Sequence, residues 1–367
     1  DVGQYFIVDG DFPFGGTGGY RRSTLLGDFD IKPEKNLSNE YGLDLRLFNN
    51  KIRFDYAYFN TRVKDQIFTV GTAFSSGLSG ITRNAGDFEI FGHELLMSAK
   101  LINTPKFSWE VILNWSTSEG NVLDIPEDLE SIIFADSGFA GVTSEIREGD
   151  KMGTMYGWKW RYENGQRYID SNGKPEIDFS ERQIVGNAFP DFISSIGNNL
   201  KWKGLGFNFL LEYKKGGDLY DSGLRNSIRN GNHILTEIRN QDVVLEGVMD
   251  DGNGGFTTNT TPGFLDQNYY RSSTDYNRAS EVLVQDASWV KLRNIGFTYD
   301  LDKSLLSTIN VDRVSLNLSA NNILLWTPFD GFDPEGNQYS AGSNVYGFTG
   351  LSVPISESYS FGINIGF

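Results

Sequence analysis

The chain has 367 residues, 39% of them hydrophobic, 14% aromatic and 22% charged, which excludes a disordered chain and leaves two domains or one large all-β architecture. No run approaches the roughly 18 apolar residues of a spanning helix, so a helical membrane protein is excluded, whereas a β-barrel, whose alternating strands dilute the signal, is not. The 32 Lys and Arg against 48 Asp and Glu give a net charge of -16, which argues against a nucleic-acid partner, and the absence of cysteine removes disulfides, thiol nucleophiles and thiolate metal sites.

Residues 1–11 lack a basic segment followed by an apolar core, so no signal peptide is expected there. Gly15-Gly16-Thr17-Gly18-Gly19 neither follows a strand nor opens a helix, and it reads as loop rather than as a phosphate cradle. From there period-two alternation dominates, and nine strands are predicted: 34–48, 52–68, 88–102, 107–118, 190–203, 205–216, 285–301, 311–326 and 355–367. In the first, Tyr41, Leu43, Leu45 and Leu47 share one face and Asp44 and Arg46 the other. In the fourth, Phe107, Trp109, Val111, Leu113 and Trp115 alternate with Ser108, Glu110 and Asn114. Leu205, Phe207, Phe209, Leu211 and Tyr213 repeat the pattern after a turn at Gly204.

The connections alternate in length. Short turns fall at 49–51, 103–106, 204 and 302–310; the others, 69–87, 119–189, 217–284 and 327–354, are too long for structureless loops of a compact soluble domain. Short turns on one side and long loops on the other predict an all-β fold, a transmembrane antiparallel β-barrel. The long loops and residues 1–33 would then be extracellular, and 34–367 would be barrel wall with its loops. A soluble β-sandwich is the competing architecture. Ser360, Gly362, Ile365 and a terminal Phe367 make up the C-terminal strand that barrel assembly reads. Trp115, Tyr213 and Trp289, with Phe107, Trp202, Tyr299 and Phe367, are assigned to two aromatic girdles. Nine is an odd count, and an open edge in lipid is prohibitive, so the chain reads as the C-terminal portion of a larger barrel.

Several segments resemble known proteins. Ile31-Lys32-Pro33-Glu34-Lys35, Glu40 through Asn50, Tyr58-Phe59-Asn60 and Lys64-Asp65-Gln66-Ile67 resemble TonB-dependent receptors in general. Asp286-Ala287-Ser288-Trp289-Val290-Lys291-Leu292-Arg293-Asn294-Ile295 is similar to the SusC/RagA-type outer-membrane nutrient transporters of Bacteroidetes, as are Ile184 through Phe192 and Gly331-Phe332-Asp333-Pro334-Glu335. The resemblance implies a 22-strand barrel in the outer membrane, bathed in its lipid, with an N-terminal plug, energised by TonB–ExbB–ExbD and capped by a SusD-like surface lipoprotein. Plug, TonB box and roughly the first thirteen strands would be missing here. It implies import of oligosaccharides or peptides. A scaffold role in an outer-membrane complex and a surface glycan-degrading enzyme are the alternatives, the latter distinguished by hydrolysis without a partner.

Chemistry-bearing residues are few. His93 and His233 are the only histidines, so neither a hydrolytic triad nor a zinc site is expected, and no cofactor is predicted. Asp170, Asn172, Asp178 and Glu181 stand at positions 1, 3, 9 and 12 of a calcium-type loop, but Lys174 and Pro175 replace a ligand and the turn glycine, so the copy reads as degenerate and empty. By the resemblance, relatives carry a fuller Asp-x-Asn-x-Asp-Gly version. Trp158, Trp160, Tyr162 and Tyr168 flank an Asn164-Gly165 hairpin turn and are candidate ligand contacts; packing of their own loop is the alternative. Residues 124–150 hold eight carboxylates against Arg147 and read as a solvated acidic loop. The apolar Ile132, Ile133, Phe134, Phe139, Val243, Val244, Leu245, Phe264 and Leu265 in the two longest loops are assigned to a lipoprotein docking surface, with a self-folded lid as the rival.

Overall fold

A computed structural model of the chain describes residues 5–9, 19–138, 141–272, 274–306, 311–339, 345–350 and 352–366. Nine long strands form one antiparallel sheet: β1 Lys35–Leu47, β2 Ile52–Lys64, β3 Asp87–Asn103, β4 Phe107–Asp124, β5 Pro190–Trp202, β6 Leu205–Gly216, β7 Trp289–Asp300, β8 Arg313–Trp326 and β9 Ser358–Gly366. Their order in the sheet is their order in the chain, a meander with β1 and β9 at its edges.

Register sorts the two faces. One row across the sheet reads Phe107, Trp202, Leu205, Tyr299, Leu316 and Ile363, and the next row reads Ser108, Lys201, Gly206, Thr298, Asn317 and Gly362. Because successive side chains point to opposite faces, one face is apolar and the other polar along most of the wall. The apolar face is open to its surroundings: Leu318, Phe361 and Ile363 are each more than half exposed. So large an uncovered apolar surface is intolerable in water and natural in a bilayer.

Turn chemistry explains the short end. Lys203 and Gly204 both have positive φ (45° and 86°), the two-residue geometry that suits strand twist and joins β5 to β6. Phe48, Asn49 and Asn50, also left-handed, turn β1 into β2. At the other end the connections 65–86, 125–189, 217–288 and 327–357 build small sheets, short helices and hydrophobic cores of their own.

Three predicted strands change length. The second ends at Lys64, because Asp65 is left-handed (φ 57°) and its N–H donates to Asp87; Ile67–Gly71 then pairs with Gly80–Asn84 in a separate sheet. β4 continues to Asp124, since β3 pairs with it through Gly120 and Val122. The segment predicted as 285–301 is broken: Val284–Asp286 pairs with Asp218–Asp221, and the wall strand begins only at Trp289. Residues 10–18, 139–140 and Phe367 lie outside the described residues, so Gly15 to Gly18, Phe139 and the terminal aromatic have no structural account. Ser360 and Gly362 sit on the polar face of β9 opposite Ser319 and Asn317, and Ile365 sits on the apolar face opposite Val314.

Candidate functional site

The polar face becomes chemically distinctive where β6 and β7 approach the long connections. Against β6, a bulge between Leu292 and Asn294 adds one residue to β7, so that Lys291, Arg293 and Asn294 all reach the polar face. Lys291 Nζ donates to Asp333 at 3.1 Å and to Glu335, while Arg293 donates to Glu212 and, through Nη1 at 2.8 Å, to Glu335. Both cations lie over the Trp289 ring, Arg293 Cζ 4.6 Å from its centroid. The Lys291 and Asp333 side chains are only 6% and 8% exposed, so each ion is compensated by its partner and not by water. Burial works against charge on Glu335, yet the bonds from Arg293 and Lys291 prevail and hold its carboxyl below the usual range. Asp333 is lowered too, against the same burial, by backbone N–H groups of Ile355 and Glu335 and by Lys291. Trp289 is thus 3% exposed on the polar side, and its girdle assignment is corrected: it aligns with Lys214, not with the apolar row of Tyr213.

The network pins the arm 327–335 to the wall, and further bonds secure both ends. Thr327 Oγ1 donates to the Ser288 carbonyl at 2.7 Å, Asp330 N–H to Gln285 at 2.9 Å, and Ile355 N–H to Asp333 at 2.9 Å. Phe329 packs with Leu219 and Ala287. Just beside it, Asn187 N–H donates to Asp218 at 2.8 Å, and a Cβ on Gly186 would lie 2.7 Å from Asp218 Oδ2, so only glycine fits. Burial raises the Asp218 carboxyl. The three segments that carry the family resemblance therefore converge on one joint that seats the crown of connections on the wall. Nothing in the sequence pattern paired Lys291 and Arg293 with Asp333 and Glu335; the signal available was two cations and two acids, each two residues apart.

The four aromatic candidates are dispersed by the crown's packing. Trp160, 2% exposed, is enclosed with Ile177, Ala279 and Tyr276 and offers no face to a ligand. Trp158 meets Phe179 edge to face at 5.2 Å, and its backbone N–H donates to Ser280 Oγ. Tyr162 is 47% exposed with its hydroxyl on Glu281, and Tyr168 lies beneath Arg161, whose Cζ is 4.0 Å from the ring centre. Asn164 and Gly165 form the predicted hairpin turn, with φ of 52° and 79°. In the calcium-type loop, Asp170 accepts from the N–H groups of Asn172 and Lys174, Asp178 accepts from Ser180 and Gln183, and Glu181 is exposed. Among the described residues no three acids or histidines converge in ligating geometry.

The acidic loop is only partly solvated. Glu145 is 3% exposed and takes Thr143, Arg147 and Arg182; burial opposes its charge, but those donors keep its carboxyl low. Asp128 pairs with Arg83 at 2.8 Å. Of the apolar docking candidates, Ile132 and Leu265 are buried in the crown's own cores, with Phe134, Val243 and Leu245 packed against them; Ile133, Val244 and Phe264 remain exposed. His93 bonds Tyr56 at 2.8 Å among Tyr58 and Trp115, and His233 faces Asp330 at 3.3 Å, so the two histidines serve separate places.

Comparison with known proteins follows the same lines. No family model matches the chain. It is 26% identical over 372 residues to TonB-dependent receptor P3 of Formosa agariphila, covering 94% of this chain and 35% of that protein. The figures for TonB-dependent receptor P39 of the same organism are 26%, 93% and 36%. TonB-dependent receptor SusC of Bacteroides thetaiotaomicron is 24% identical over 60% of the chain. Among solved structures, the RagAB peptide importer in its open-open state superposes with a TM-score of 0.72 at 18% identity, covering the whole of this chain and 38% of that one. The chain spans about a third of the length of these relatives. With its two-faced meander, its crown and the joint between them, the chain is similar to the SusC-type TonB-dependent receptors and has the fold of part of their transmembrane barrel.

Proposed function

We propose that this chain is part of an outer-membrane importer that takes up oligosaccharides or peptides together with a SusD-like lipoprotein. The observation that carries the reading is the two-faced wall: nine strands, apolar on one face and polar on the other, suit a barrel wide enough to leave a lumen. In this reading the apolar face meets lipid, the short turns lie in the periplasm, and the crown faces outward. TonB–ExbB–ExbD would act through the part of the protein beyond this chain. Tyr162 and Tyr168 are the crown aromatics we assign to ligand contact, and Ile133, Val244 and Phe264 the residues we assign to the lipoprotein interface. Relatives named as receptors or importers, and not as enzymes, support the reading.

Uptake of labelled oligosaccharide and labelled peptide by cells carrying or lacking the intact gene tests it. Loss of uptake of either on deletion is expected; unchanged uptake of both contradicts it.

A further inference from the structure

Within the 217–288 connection, the ends of two helices, α1 Ser222–Arg229 and α2 Gln267–Arg271, border a cavity of about 350 Å³. Three arginines line it: Arg229, Arg271 and Arg239. Among the described residues no Asp or Glu does, in a chain with 48 acidic residues against 32 basic ones. Arg229 and Arg271 close the last turns of their helices, where a cation also offsets the helix dipole. That reason does not extend to Arg239, which enters from a separate segment and is held by the carbonyls of Thr236 at 3.1 Å and Gly231 at 3.4 Å. Among the described residues neither Arg229 nor Arg271 has an ion-pair partner. The rest of the lining is amide: Asn230, Asn232, Asn240 and Gln267. Tyr270 also lines it, its hydroxyl fixed on the Leu235 carbonyl at 3.2 Å.

We propose that this cavity binds an acidic saccharide unit of the imported ligand, a sugar ring carrying a carboxylate. The proposal rests on the import reading and specifies its substrate. Guanidinium forks match carboxylates in bidentate geometry, and primary amides supply both donors and acceptors for ring hydroxyls. The volume falls at the small end of the roughly 300–1,000 Å³ of ligand pockets and fits one or two sugar rings. Unpaired cations facing a shared space repel one another, and a bound anion relieves that repulsion.

The test is calorimetric binding to the intact transporter in detergent, with trigalacturonate, the neutral maltotriose and triglutamate as probes. Trigalacturonate is expected to bind, more weakly as salt rises. Arg229→Gln with Arg271→Gln should weaken it at least tenfold, and the Lys pair, keeping charge without the fork, should fall between. Neither arginine is among the buried residues of its helix, so the packed faces are untouched; heat-dependent gel migration checks that the barrel is folded. Maltotriose binding as tightly, an unaltered affinity in the double Gln variant, or no trigalacturonate binding overturns the proposal. Triglutamate bound with the same arginine dependence overturns the saccharide assignment in favour of an acidic peptide. Cells importing none of the three while trigalacturonate still binds the purified protein would count against import and leave the pocket assignment standing.

Discussion

Lys291 and Arg293 carry opposite obligations: they are cations on a barrel strand, and their partners Glu335 and Asp333 belong to an arm more than thirty residues further on. Removing one member of a buried pair strands the other, which costs about 3–5 kcal/mol. Lys291→Gln is therefore expected to free the arm 327–335, read as faster proteolysis there and a lower melting temperature, whereas Lys35→Gln, whose side chain is 73% exposed beside Asp65, should move neither measurably. Acid should act on the same joint. The Glu335 and Asp333 carboxyls are depressed in the folded protein, so their contribution is complete above the ordinary carboxylate range of about 4 and is lost as pH falls through their lowered values. Protease cleavage in 327–335 should thus stay slow from neutrality down to about pH 5 and accelerate only below about pH 4. Cleavage accelerating near pH 6 would point to another group.

At the scale of the element, the hairpins were legible because their determinants are local. Leu205 through Tyr213 alternate without a break, and Gly204 sits where a left-handed turn residue is required, so strand, face and turn follow from neighbouring residues. Gly204→Val should impair this hairpin, since φ is 86° and a Cβ would lie 2.8 Å from the Asp300 carbonyl; reduced recovery of heat-modifiable barrel is the expected readout, and full recovery would argue against it. The breaks at Asp65 and at Ala287–Ser288 were not legible. Each is dictated by a partner distant in sequence: Asp87 takes the Asp65 N–H, and Ser288 Oγ accepts the Gly216 N–H at 2.8 Å. The same limit hid the site. Trp289 fits a girdle by residue type, and only the register against Lys214 and the cations above its ring turn it inward. Trp160 likewise looked available until Ala279 and Tyr276, over a hundred residues away, closed over it.

For the whole molecule the account rests on which medium each face of the wall meets. Rows that differ by one residue along a strand belong to lipid on one side and to water on the other, so neighbouring substitutions should differ sharply in effect. Leu318→Arg is expected to cost about 2–4 kcal/mol near mid-membrane, and Asn317→Arg much less, as read by the denaturant midpoint in vesicles. The absence of cysteine provides the most direct measurement, because single cysteines can be placed at Leu316, Asn317, Leu318 and Ser319 of the full-length protein in its native membrane without removing any other thiol from this chain. A fluorophore on Leu316→Cys or Leu318→Cys should be quenched by brominated lipid, while Asn317→Cys and Ser319→Cys should react with a charged, water-soluble maleimide and escape that quenching. Equal quenching at all four positions, or quenching at 317 and 319 alone, would contradict the assignment of this sheet as a lipid-facing barrel wall.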